Sequence, residues 1–226
     1  RFLPGVDLRF VSRESGPVVT DSGILVLGAT HSYDETPAPD IVLVPGSEAD
    51  TPTAMADRQL LDWLKQAHRS SRYTLSVCSG ALILGAAGIL KGHRATTHWM
   101  VQNLLPPFGA EPQPDRRIVQ SGKIITAAGV SAGIDLGLFV VGEICGRERA
   151  EVIQLMLEYD PQPPYQSGHP SKASKAVLEA ARKEMIQRSK IRRKVVSVSL
   201  ILWRSAMSQV RKRFGLSYLF ASPFCR

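Results

Sequence analysis

Cysteine is scarce in this sequence: three residues in 226, at positions 78, 145 and 225, with no Cys-x-x-Cys among them. Such spacing supports neither a disulfide framework nor a zinc site, and it suits a reducing, cytoplasmic setting. His31, His68, His93 and His169 show no ligand spacing either, so no metal is expected. Long apolar runs are also lacking. The best stretch is nine residues, Val195 to Trp203, against the roughly 20 that a membrane-spanning helix needs, so no membrane partner is expected. No charged-then-apolar leader opens the chain. It starts at Arg1 on Phe2-Leu3-Pro4-Gly5 and reads as the interior of a longer chain. Repeats and low-complexity tracts are absent.

What is present is ordinary for a folded domain. Apolar residues make up 44% and charged residues 21%, which excludes general disorder. The formal charge of +8 points at first to nucleic acid, until it is located. Residues 182–226 hold twelve Lys and Arg against Glu184 alone, a net +11. The first 181 residues carry 16 positive and 19 negative side chains, a net −3. We therefore divide the chain into a domain over 1–187 and a basic tail over 188–226. The tail has three readings: a nucleic-acid arm, a basic amphipathic membrane segment, or sequence unrelated to the domain's function. The strand-like alternation of Val195 to Trp203 favours the third, and no nucleic-acid partner is expected.

Along the domain, apolar strands alternate with helical patterns, which implies an α/β three-layer sandwich with a mostly parallel sheet. Val6 to Val11 alternates as a half-buried strand would, and Val18 to Leu27 reads as a hairpin around Asp21-Ser22-Gly23. The run Ile41-Val42-Leu43-Val44 before Pro45-Gly46 fits a central strand covered on both faces. Residues 56–69 have helical spacing, Tyr73 to Val77 is a second buried strand, and Ala81 to Leu90 fits a tightly packed helix. Arg117 to Thr126 reads as a hairpin, followed by helices over Ser131 to Cys145 and Glu148 to Tyr159. Prolines 161, 163 and 164 force a loop, and a last helix is expected from Ser171, as its N-cap, to about Gln187.

Cys78 carries the chemistry. It ends a buried strand and precedes Ser79-Gly80 and a helix of small residues, the arrangement of a nucleophile elbow at the carboxyl edge of a sheet. Backbone N–H groups at the helix start would lower the thiol pKa and stabilise negative charge on a substrate. The alternative for Cys78 is a small buried hydrophobe, and that is the reading adopted for Cys145. Cys225 has no activating context.

The segments Val77-Cys78-Ser79-Gly80-Ala81, Gly85 to Leu90 and Arg94-Ala95-Thr96-Thr97-His98-Trp99 resemble the ThiJ/PfpI superfamily, with its class I glutamine-amidotransferase-like fold. Within it, Gly129 to Asp135 and Glu158-Tyr159-Asp160-Pro161-Gln162-Pro163-Pro164-Tyr165 look most like the isonitrile hydratases. The resemblance covers about residues 1–180. It implies thiolate attack by Cys78 on the terminal isonitrile carbon, then protonation and hydration of a thioimidate to release an N-substituted formamide. It also implies no cofactor, a small isonitrile substrate and a homodimer. By position, Ser79 would hydrogen-bond reacting groups, and the Gly46-Ser47 turn would bind the substrate or its developing charge. Ser47 stands where such proteins usually have glycine, so a different local turn is expected there.

Two departures follow from the same resemblance. The family's acid–base carboxylate lies in an Asp-x-x-Gly-Pro stretch after the first strand, which would precede Arg1. The first strand would then be missing from the sheet, leaving an exposed edge or an unfilled slot, and activity of the chain as written is not assured. Asp7 stands in the wrong context for the acid. PfpI-type proteases place histidine directly after the cysteine, where this chain has Ser79. His98 is read as a pocket wall or cap, and Asp135 as a structural residue at a helix start. Phe108-Gly109-Ala110 and the Tyr165 loop either shape an apolar pocket or belong to ordinary core. The rival function is the ligand-sensing domain of an AraC-type transcription regulator, which shares the elbow and the Ala-Thr-Thr-His-Trp run. The roughly 40 residues after the last expected helix are too few for its paired helix-turn-helix units.

Overall fold

Four apolar segments assemble one sheet because each is a short run with side chains usable on both faces. The computed structural model describes Leu3 and residues 5–188, so the readings of the basic tail and of Cys225 lie outside the described residues. Tyr73–Val77 pairs in parallel with Ile41–Val44 on one side and Ile124–Ala127 on the other. Ile118–Ser121 adds antiparallel to Ile124–Ala127 as the far strand of the four. Helices α1 (Thr51–Ala56), α2 (Arg58–Ser70), α3 (Gly80–Ala86), α4 (Ala132–Cys145) and α5 (Arg147–Met156) follow in chain order, with α6 over 175–188. The α/β sandwich with a mostly parallel sheet is therefore the observed architecture.

Strand period decides the two layers. The row Val42–Thr74–Ile124 points to one face, where Val42, Val44 and Ile124 pack with Leu64 of α2 and Ala81 to Leu84 of α3. Fully burying a leucine such as Leu64 or Leu84 stabilises the fold by about 1.5–3 kcal/mol. The row Leu43–Leu75–Ile125 points to the other face, where Leu75, Ile125 and Ala127 meet Ala132, Leu136 and Val140 of α4. Helix α2 is tied at both ends. Asp57 accepts hydrogen bonds from the N–H groups of Gln59 and Leu60, and Lys123 donates to the carbonyls of Arg69 and Ser71 at 3.3 and 3.1 Å. A carboxylate at the start and an ammonium at the end both suit the helix dipole.

Several expectations hold and several are corrected. Gly16–Val19 and Val26–Ala29 form the expected antiparallel hairpin, with Val18 opposite Leu27. Residues 6–10 are not a strand: the alternating run is exposed, and pairing is confined to Val11–Ser12 with His31–Ser32. Ile41–Val44 is a parallel strand but stands at the edge of the four-stranded sheet, with Ile41 and Leu43 exposed. The apolar run reflects α2 and α3 on one face only, since α4 sits over the neighbouring strands. Helix α3 ends at Ala86 rather than Leu90, because the turn that follows places Gly88 at φ +76. Ser171 is not the cap of the last helix. Its hydroxyl pairs with His169, whereas Ser174 Oγ accepts from Val177 N just ahead of α6. Cys145 is exposed, because it is the last residue of α4 and turns off the apolar face. Among the described residues no helix is long and apolar enough to cross a membrane.

Candidate active site

The chain must turn from strand to helix within two residues after Val77, and Cys78 absorbs that turn with φ +57. Left-handed backbone is costly for a side chain with a Cβ and persists only where neighbours fix it. Here they do. Cys78 N donates to the Ala127 carbonyl at 3.0 Å, and Thr97 Oγ1 donates to the Cys78 carbonyl at 2.7 Å. Gly80 is dictated by close approach, since a Cβ there would lie 2.2 Å from the Val44 carbonyl oxygen. The elbow expected from the sequence is present, and Cys78 is a free, half-buried thiol at the carboxyl end of the parallel strands.

The Pro45-Gly46-Ser47 turn packs directly onto this elbow. A Cβ on Gly46 would stand 2.6 Å from Ser79 Oγ and 3.0 Å from Cys78 Cβ, so glycine lets the two turns touch. Ser47 has no positive φ, so serine is accommodated without left-handed strain. Its N–H donates to Ser79 Oγ at 3.2 Å and to Thr51 Oγ1 at 3.3 Å. Ser79 Oγ donates to the Ser47 carbonyl at 3.0 Å and lies 2.8 Å from Thr51 Oγ1. Thr51 Oγ1 also reaches the Ser47 carbonyl, at 3.1 Å. Cys78, Ser79, Gly46 and Ser47 thus lie together. Thr51 joins them unforeseen; its signal was a threonine at the first turn of a helix five residues after Gly46.

Electrostatics at the thiol run against the sequence expectation. Burial pushes the Cys78 thiol up, the Ser79 backbone N–H and hydroxyl pull it down, and the charge of Glu48 pushes it up again. The net shift is upward, because the sulfur loses more hydration than the short helix α3 returns in donors. The N–H effect expected from the sequence is present and is outweighed. Glu48 is a second residue missed from the sequence; its N–H is anchored to Asp21 at 2.8 Å. Asp7, set aside as the acid, forms a 2.7 Å ion pair with Arg9.

The remaining wall is built by the loop after Ile124–Ala127. His98 Nδ1 accepts from Met100 N as the cap of a 3-10 turn, and burial lowers its pKa, so it is a neutral capping residue. Its ring faces Gly129, where a Cβ would lie 3.9 Å from His98 Cδ2. Asp135 is tied to Arg117 by an ion pair and accepts from the Tyr159 hydroxyl at 3.0 Å. The two segments that carried the resemblance, Gly129 to Asp135 and Glu158 to Tyr165, are therefore fastened to each other. Phe108 belongs to the core against Gly85, whereas Tyr165 is 80% exposed and walls no pocket.

Residues 4–143 match the model of the DJ-1/PfpI family. Over 193 residues the chain is 42% identical to an isonitrile hydratase of Pseudomonas putida, spanning 85% of this chain and 83% of that protein. It is 28% identical to the HTH-type transcriptional regulator CdhR of Pseudomonas aeruginosa, over 62% of this chain but 41% of the regulator. A crystal structure of a ThiJ/PfpI family protein from Pseudomonas syringae superposes with a TM-score of 0.77 at 36% identity, covering 84% of this chain and 78% of that one. The elbow, the parallel sheet that presents it and these matches lead to one statement: the chain belongs to the DJ-1/PfpI family.

Proposed function

We propose that this chain is an isonitrile hydratase-like domain in which Cys78 adds to an isonitrile and water releases an N-substituted formamide. The observation that carries this is the half-buried Cys78 thiol, held at φ +57 by bonds on both sides of its peptide. Similarity to the Pseudomonas putida enzyme across most of both chains supports the substrate class. The terminal carbon of R–N≡C must gain both the sulfur and a hydrogen. A thiol whose pKa is raised brings that proton with it. Addition of S–H across the carbon gives a thioimidate, R–N=CH–S–Cys78. Water then adds to this carbon, the C–S bond breaks, the sulfur leaves with its electron pair, and R–NH–CHO departs. The sum is isonitrile plus water to formamide, with no redox change and no cofactor required.

Ser79 hydrogen-bonds the sulfur as it gains and loses charge, while Gly46 and Ser47 form the turn that binds substrate beside it. A reducing, cytoplasmic setting keeps such a thiol free, and a homodimer is the proposed assembly. Formamide production from cyclohexyl isonitrile tests the assignment. Turnover abolished by Cys78→Ala supports it, and no turnover with Cys78 in place overturns it. A ligand-sensing domain of an AraC-type regulator is the second reading, supported by the match to CdhR. Sequence-dependent retention on DNA would favour it.

A further inference from the structure

The bonds that fix the left-handed backbone of Cys78 lead outward to one amide side chain. The Cys78 carbonyl accepts from Thr97 Oγ1 at 2.7 Å. Thr97 lies in the fully buried Thr96-Thr97 stretch, which belongs to no strand or helix and so has no ladder to fill its backbone groups. Thr96 N donates instead to Thr126 Oγ1 at 2.8 Å. Gln102, in the 3-10 turn Trp99–Leu104, folds back over the pair. Its Nε2 donates to the Thr97 carbonyl at 2.9 Å and to Thr96 Oγ1 at 2.9 Å. Nitrogen must face Thr97, because a carbonyl oxygen accepts and cannot donate. Both Nε2 protons are thereby used, and Gln102 Oε1 is buried without a hydrogen-bond partner among the described residues. An orphaned amide oxygen costs stability, so the role of this side chain lies in what its N–H groups hold.

We propose that Gln102 is a positioning residue for Cys78: by clamping the Thr97 carbonyl, it fixes the Thr97 hydroxyl that holds the Cys78 peptide at φ +57. This rests on Cys78 as the reacting thiol, but not on the identity of the substrate. The influence of Gln102 passes through Thr97, since its amide bonds to Thr96 and Thr97 and not to Cys78. A left-handed residue with a Cβ persists only where its surroundings over-determine it. One restraint on Cys78 is the Ala127 carbonyl, 3.0 Å from its N–H, and Thr97 is the other. Without Gln102 the Thr97 carbonyl is unmet in a buried corner, and the stretch shifts to satisfy it, taking the hydroxyl off Cys78. The turn then relaxes, and the half-buried sulfur samples more open positions. The Gln102 bond to Thr96, by contrast, ends on a hydroxyl that makes no hydrogen bond to Cys78. That difference separates a clamp on Cys78 from general loosening of the loop.

The test is the rate of alkylation by iodoacetamide at mildly alkaline pH, read by mass spectrometry on the peptides that contain Cys78 and Cys145. The exposed Cys145, at the end of α4, serves as the internal reference. Gln102→Met keeps the length of the side chain and removes both N–H groups. It should raise the Cys78-to-Cys145 rate ratio roughly fivefold, the scale of one lost hydrogen bond in a local opening equilibrium. Gln102→Glu, equal in size but with no N–H to donate, should do the same. Thr97→Val should match them, and adding Gln102→Met to Thr97→Val should raise the ratio no further. Thr96→Val removes the other Gln102 bond and should leave the ratio unchanged, whereas a merely structural Gln102 would respond to both losses alike. If Gln102→Met does not fold by circular dichroism, Gln102→Glu carries the comparison. An unchanged or lowered ratio in the Gln102 variants, an additive rise in the double variant, or a rise in Thr96→Val overturns the proposal. Isonitrile turnover is not read in this experiment, so the substrate assignment can fail while this one stands.

Discussion

The two faces of the sheet are packed to different standards. Against α3, the residues from Gly80 to Gly85 are all buried, and the contacts are close enough that glycine is required at Gly80. Against α4, the cover stops short of the edge strand, leaving Ile41 at 38% and Leu43 at 51% exposure. The face with α3 carries Cys78 into its turn; the other supplies the Gly129 to Asp135 wall. A strained residue such as Cys78 needs neighbours that cannot yield, which is what the α3 side provides. The wall on the α4 side is instead held by polar bonds among Arg117, Asp135 and Tyr159.

That contrast can be tested from its strongest consequence to its weakest. Cys78→Ala should abolish both formamide production and alkylation at this site, as seen by product chromatography and peptide mass. Gly80→Ala places a Cβ against the Val44 carbonyl and should destabilise the fold by about 3 kcal/mol, measured by urea unfolding. Leu84→Ala on the dense face should cost about 3 kcal/mol, whereas Leu43→Ala on the open face should stay within about 0.5 kcal/mol. Equal losses at the two leucines would remove the distinction between the faces. Tyr159→Phe deletes the hydroxyl bonded to Asp135 and should cost about 1 kcal/mol in the same unfolding experiment.

The smallest expected effect concerns pH. Burial lowers the pKa of His68, with Lys123 and His93 adding to it, and burial lowers that of His98. The unfolded chain therefore takes up protons first as pH falls. Stability should be full above the unfolded histidine value of about 6.5 and decline below it, towards the lower folded values. His68→Gln should flatten this decline in thermal melts recorded across that window; an unchanged slope would remove His68 from the account.

Much of the site was legible because it is local. Tyr73 to Val77 and Cys78-Ser79-Gly80 are consecutive, so the strand, the turn and its small flanking residues could be read together. The hairpins at 16–29 and 118–127 were legible for the same reason, since each turn announces itself with glycine. Thr51 was not legible: its partner Ser79 is 28 residues away, and nothing in a helix-start threonine says which hydroxyl it meets. The link from Asp135 to Tyr159 spans 24 residues and was hidden likewise. Ser171 and Ser174 are both acceptable caps by type, and only the path of the preceding loop chose between them.

The sequence by itself determined the order of strands and helices, the elbow at Cys78 and the family, because these depend on neighbours in the chain and on short motifs. It also located the charge, a net −3 over residues 1–181 against +11 over 182–226, because charge can be counted without a fold. Tertiary structure alone decided the rest. It placed Ile41–Val44 at an edge, raised the thiol pKa that the motif suggested would be lowered, and brought Thr51 to Ser79. Edge position, desolvation and hydroxyl partners are properties of what surrounds a residue in space. They are set by the packing of segments distant in the chain, which no local pattern records.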